Sequence, residues 1–253
     1  MHNKTKNTSL VTMVAGALLA GSIGASAQAP AAPVEKAPLW QKSAALGLTL
    51  TRGNSSTLLF IGNIAAARKQ DKNEILLGAD GTYGKNSGVK NAESLHAFGQ
   101  YNRLFGKEDR WYGYGRVDGL HDAIANTSYR IALGLGLGYY IIKDKDTSLA
   151  VEGGPGIVNE HLGSVYHTYA TMRLAERFEH KFNATTRMWQ TAEFLPQVDR
   201  WGNYVLNTEI GLETDLSKSL SLRTYVQDTY RSEPAAGRLK NDLKFVTAVA
   251  YKF

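Results

Sequence analysis

Ten ionisable side chains in the C-terminal third of the chain fall on one face of five successive alternating segments. They are Arg173, Arg177 and Glu179, then Arg187 and Glu193, then Glu209 and Glu213, then Arg223, then Asp242 and Lys244. Neighbouring segments differ in dominant sign. Enclosed together, such groups would pair across strands and fill an interior, or line a narrow polar path that selects ions by charge. Other chemistry is poorly provided for. With no cysteine in the chain there is neither a thiolate nucleophile nor a sulfur ligand for a metal. His161 and His167 flank GSVY without the spacing of a zinc motif, and His96, His121 and His180 are scattered. No metal, cofactor or catalytic set is therefore expected. A hydrolase working at a lipid face is the enzymatic alternative. Glu176 and Gln190 interrupt the apolar parity of two neighbouring segments, would oppose each other across a hairpin, and share that face with His180. No serine stands at a matching position on either segment.

What must position these groups is an alternating backbone. In SYRIALGLGLGYYI, Tyr129, Ile131, Leu133, Leu135, Leu137 and Tyr139 take one side, and Arg130, Ala132, Gly134, Gly136, Gly138 and Tyr140 the other. A period of two marks a strand with two unlike faces. Rings at both ends of an aliphatic band, with small residues behind, suit a strand that faces lipid outside and a crowded interior inside. GLGLG therefore lies within a strand, not between a strand and a helix as a nucleotide loop would. In GGPG (residues 153–156), Pro155 cannot donate to a ladder, which predicts a bulge or kink there.

Repetition sets the fold class. Alternation predicts strands near 40–51, 57–68, 74–84, 93–104, 111–121, 129–141, 147–158, 167–180, 186–195, 204–214, 220–231 and 241–253. The expectation is an all-β protein, one antiparallel transmembrane β-barrel of about twelve strands over residues 40–253. KQDK, FGKEDR, KDKDT, HKFNATT and DLSKS read as short turns of one side. YGKNSGVKNAES, VNEHLGSVYH, LPQVDRWGN and SEPAAGRLK read as longer loops of the other. Even strand number puts both termini on the short-turn, periplasmic side. A sheet in lipid cannot leave an edge unpaired, so the last strand must find the first. That strand carries Val249, Tyr251 and Phe253 on one parity, whereas Lys252 reads as a lumen or turn residue of less consequence.

The N-terminus reads as an export signal. Lys4 and Lys6 form a charged region, Leu10 to Gly21 an apolar one, and Ala25-Ser26-Ala27 a cleavage site. The apolar stretch is shorter than the roughly 20 residues a membrane helix needs. Cleavage after Ala27 would export the chain to the cell outer membrane and leave residues 28–39, rich in proline and alanine, as a periplasmic tether. Without Lys4 and Lys6, 27 basic residues face 23 acidic ones, a net charge of +4. That excess is spread thinly, which predicts no nucleic-acid partner.

Two resemblances sharpen this reading. An alternating strand ending in phenylalanine resembles the C-terminal assembly signal of bacterial outer-membrane proteins, which implies the barrel-assembly machinery and outer-membrane lipids as partners. Over Trp40 to Phe253 the chain also resembles the YdiY-like family of salt-induced outer-membrane proteins. The residues that carry this are LGLTLTRGNSST (Leu46 to Thr57), LGLGLGYY, AVEGGPGIV, RLAERFEHKF (Arg173 to Phe182), FLPQVDRWGNYVLNTEIGLE and LSLRTYVQDTY. Members of that family have no assigned activity, so the resemblance implies a fold and a location but no mechanism.

Overall fold

A computed structural model describes residues 40–51 and 57–253. The segments expected to form the signal and the tether lie outside the described residues, as do Arg52 to Ser56. Twelve strands follow in chain order: β1 Gln41–Thr51, β2 Thr57–Gln70, β3 Asn73–Asn86, β4 Val89–Phe105, β5 Trp111–Asp122, β6 Thr127–Lys143, β7 Thr147–Leu162, β8 Val165–Lys181, β9 Thr186–Gln197, β10 Arg200–Asp215, β11 Leu220–Arg231 and β12 Asn241–Lys252. Each pairs antiparallel with its sequence neighbours, and β12 pairs with β1, closing the sheet into a barrel. The only helical turn among the described residues is 3₁₀, at Lys107–Asp109.

Closure answers the edge problem directly. Ser43 lies opposite Lys252 and Leu46 opposite Val249, and the Phe253 N–H donates to the Lys42 carbonyl at 3.2 Å. Gln41 and Phe253 therefore share one rim. The two faces follow the sequence parity. Ile131, Leu133, Leu135 and Leu137 point outward and stay exposed on the isolated chain. Aromatic residues gather toward both rims of that outer face. Trp111 packs on Tyr139 at 4.7 Å, and Tyr251 stacks on Phe253 at 6.0 Å, both near the rim that holds Phe253. At the opposite rim Tyr166 stacks on His161 at 4.0 Å. An apolar band flanked by rings is what a bilayer asks of a strand's outer face.

The expected contrast of short turns and long loops is corrected by the structure. YGKNSGVKNAES is almost entirely ladder, turning on Ser87 and Gly88, whose φ angles of 50° and 82° suit a two-residue hairpin. Strands β7 and β8 likewise meet at Gly163-Ser164, and β9 and β10 at Val198-Asp199. The hydropathy pattern ends where lipid ends, but a backbone ladder continues through polar residues as readily as through apolar ones. Residues 232–240 alone remain a long connection among the described residues.

Pro155 also departs from expectation. The pairs Gly134–Gly156 and Leu137–Gly153 keep one register on either side of it, so it marks no bulge. Register shifts fall at Gly84/Lys85, Leu120/Asp122, Thr127/Tyr129, Tyr140/Ile142 and Arg200/Tyr204. Proline removes a donor without adding a residue. The inward glycines hold the two backbones so close that a Cβ on Gly154 would stand 2.1 Å from the Leu135 carbonyl oxygen.

Candidate functional site: the charged interior

Inward positions converge on two carboxylates. The first is Glu213 of β10, whose side chain has no exposed surface. Register places it between Arg187 of β9 and Arg223 of β11. Arg187 Nη2 reaches Glu213 Oε2 at 2.7 Å, Arg223 Nε at 3.0 Å, and Lys252 Nζ reaches Oε1 at 2.9 Å. The Ser221 hydroxyl donates to Oε1 at 2.8 Å. Lys252 also pairs with Asp215. Of the two places expected for Lys252, lumen or turn, the structure gives the lumen: it lies two residues from the inward Ala250 on the same parity and meets a buried carboxylate. Arg223 extends across the β12–β1 seam, donating to Ser43 Oγ at 3.0 Å.

The second carboxylate is Glu152 of β7. Arg173 Nη1 of β8 meets Oε2 at 2.6 Å, while its Nε meets Glu193 of β9 at 2.5 Å. Arg177 stands 3.7 Å away. The Tyr112 hydroxyl of β5 and the Gln100 amide of β4 each donate to Oε1 at 2.8 Å. Gln100 and Glu152 sit three strands apart, so this contact crosses the interior and does not follow the wall. From Gln100 the chain of bonds continues through Asn102 to Glu74, which accepts from the Tyr140 hydroxyl. A further arm runs from Arg116 to Asp118, and His96 bridges Asp118 and Asp80 at 2.6 and 2.9 Å.

The eight charged residues singled out on β8 to β11 thus lie inside the barrel with their partners. Seven of them take part in ion pairs. Glu179 pairs with Arg187 at 3.0 Å. Glu209 differs, accepting from the Trp189 indole at 2.6 Å with no arginine on it. Asp242 and Lys244 pair with each other at 4.0 Å, and Asp242 is more than half exposed. Sequence reasoning missed Glu152, Glu74, Tyr112, Tyr140, Gln100 and Asn102. All stand on inward parities, and the inward glycines of β6 were the available signal. A Cβ on Gly138 would lie 2.2 Å from the Tyr112 ring, so that glycine vacates the space the tyrosine fills.

On the outer face, Glu176 and Gln190 do not oppose each other. Glu176 faces Ala192 and Gln190 faces Phe178, which sets them two residues out of register. A different pair forms: Thr147 Oγ1 lies 2.8 Å from His180 Nδ1, beside Phe178 and Phe182. No carboxylate is ion-paired with that imidazole among the described residues. Groups of His, Asp and Glu arranged to hold a metal are also absent among them.

Solved structures share the barrel. An outer-membrane channel from Pseudomonas putida F1, described as COG4313, superposes with a TM-score of 0.50 at 8% identity, covering 85% of this chain and 94% of that one. The NanC porin gives 0.48 at 8% identity, covering 84% and 96%. At such identity the likeness shows an outer-membrane barrel fold and nothing about activity. No curated protein matches. A family model matches residues 44–253, nearly the whole barrel, and the chain belongs to the family described as "Protein of unknown function, DUF481".

Proposed function

We propose that this chain is an integral outer-membrane barrel whose interior is packed with paired charges for stability, without catalytic chemistry. The observation that carries this reading is the Glu213 carboxylate, fully withdrawn from water and held by two arginines, a lysine and a serine hydroxyl. A carboxylate that lines an aqueous path keeps part of its hydration, whereas one this enclosed belongs to packing. The same reading has the signal cleaved after Ala27, both termini periplasmic, outer-membrane lipids on the apolar band, and Val249, Tyr251 and Phe253 presented to the assembly machinery. The export-signal pattern, the shared rim of Gln41 and Phe253, and the aromatic rings at both rims support it. The motifs quoted above support a place among the YdiY-like members of the family. Planar-bilayer recordings of the purified barrel test the proposal, and silence is the expected result. Stepwise ohmic currents from the wild type would overturn it.

A narrow channel is the second reading, favoured by one observation. Arg177, Arg187 and Glu179 keep 34%, 35% and 39% side-chain exposure although they face inward. If that space is continuous with both rims, replacing Glu152 and Glu213 should shift a measurable conductance toward anions.

A further inference from the structure

Arg130 of β6, Glu160 of β7 and Arg231 of β11 meet near the rim opposite Phe253. Arg130 is the register partner of Glu160, whereas Arg231 approaches from four strands away. The distances are long for charge-assisted bonds, 3.9 Å from Arg130 Nε and 3.5 Å from Arg231 Nη1, both to Glu160 Oε2. Among the described residues Oε2 has no hydrogen-bond partner, and neither has Arg130 Nη2. Glu160 Oε1 accepts from the Tyr169 hydroxyl at 3.2 Å. All three side chains are at least nine-tenths buried. Two guanidinium groups thus share one carboxylate, leaving one positive charge, and an open donor on Arg130, in a buried place. Uncompensated, that arrangement is costly.

Beside the triad lies a cavity of about 480 Å³, lined by Glu160, Arg231, Tyr169, Val205, Asn203 and the loop residues around Ala235. Ala235 is buried, and the 232–240 loop brings it toward Gly163 at the β7–β8 turn. Arg200 and Glu233, the other charged residues of the lining, neutralise each other at 2.9 Å. The surplus charge therefore belongs to the triad. Glu160, Tyr169, Val205 and Arg231 all stand on inward parities, so the cavity opens toward water and not toward lipid.

We propose that this vestibule is a binding site for a small water-soluble oxyanion, a carboxylate, phosphate or sulfate group, which completes the coordination of Arg231. The site is independent of whether the lumen conducts. Isothermal titration of the refolded full-length mature barrel in neutral detergent tests it, with inorganic phosphate, sulfate and acetate as probes and sodium chloride at matched ionic strength as control. Saturable binding of at least one oxyanion is expected, lost by about tenfold or more in Arg231→Gln and strengthened in Glu160→Gln, where the competing carboxylate is gone. Should Arg231→Gln fail to fold, Ala235→Trp fills the cavity from the loop without replacing a charged residue, and it should abolish binding while heat-modifiable gel mobility stays that of the wild type. The proposal is overturned if no oxyanion binds up to about 10 mM, if chloride gives the same heats, if Glu160→Gln weakens binding, or if Ala235→Trp binds as the wild type does.

Discussion

Glu213 and Glu209 lie four residues apart on the same inward face of β10, yet their surroundings differ in kind. Glu213 answers three cations and a hydroxyl in a place with no exposed surface. Glu209 answers a neutral indole, with the Gln227 amide at 3.5 Å. Neutralising Glu213 would strand Arg187, Arg223 and Lys252 around an uncharged amide, and breaking a buried pair in this way costs about 3–5 kcal/mol. A glutamine at position 209 could still accept from Trp189, so the loss there should be about 1 kcal/mol or less. Urea unfolding of the refolded barrel in detergent, followed by tryptophan fluorescence, should separate Glu213→Gln from Glu209→Gln in that order. Equal midpoints would mean that the Glu213 cluster adds no net stability. Parity alone assigned both residues to the interior. It could not tell them apart, because a partner depends on register across strands and on which side chain has length to spare.

At the scale of elements, the strands were legible because a two-residue period repeats twelve times, and their ends were not, because polar residues prolong the ladder past the lipid. The pairing of aromatics with glycines across β5 and β6 lies between these extremes. Sequence shows glycines at every second position from Gly134 to Gly138 and so predicts a crowded inner face. Only the register reveals that Gly138 lies opposite Tyr112, whose ring occupies the space a side chain would need and whose hydroxyl serves Glu152. Gly138→Val should therefore block folding, since the added side chain would overlap a fully buried ring. Gly115 offers the contrast. It lies on the outward parity of β5, and nothing stands within 4 Å of a Cβ added there. Gly115→Ala should leave heat-modifiable gel mobility at the wild-type level, while Gly138→Val abolishes the compact band. A compact Gly138→Val barrel would show that Tyr112 can leave its place and that the Glu152 network is dispensable.

For the whole molecule, closure joins two problems that the sequence presents separately. Among the described residues the β1–β12 seam shows four register pairs, against eleven between β1 and β2, so it is the shorter ladder at which the ring is completed. Side chains from both faces of β12 meet there. Outward, Val249, Tyr251 and Phe253 extend the apolar band to the rim, with Lys42 of β1 over the Phe253 ring at 5.8 Å. Inward, Lys252 ties the seam to Glu213, and Arg223 ties it to Ser43. A substitution and a deletion one residue apart should then fail in different ways. Lys252→Ala removes one of the three cations on a buried carboxylate, so barrels should form in normal amount but unfold at lower urea, by about 1–3 kcal/mol. Deleting Phe253 removes an exposed ring and spares the interior. On the proposed reading of that strand as an assembly signal, it should cut the amount of barrel assembled in cells while leaving the urea midpoint of what does assemble close to that of the wild type. Pulse-labelled assembly in membranes and urea titration of the purified barrels measure the two quantities independently. If both variants lose assembly and stability in the same proportion, the seam acts as one cooperative unit and Phe253 has no role in recognition beyond the fold it completes.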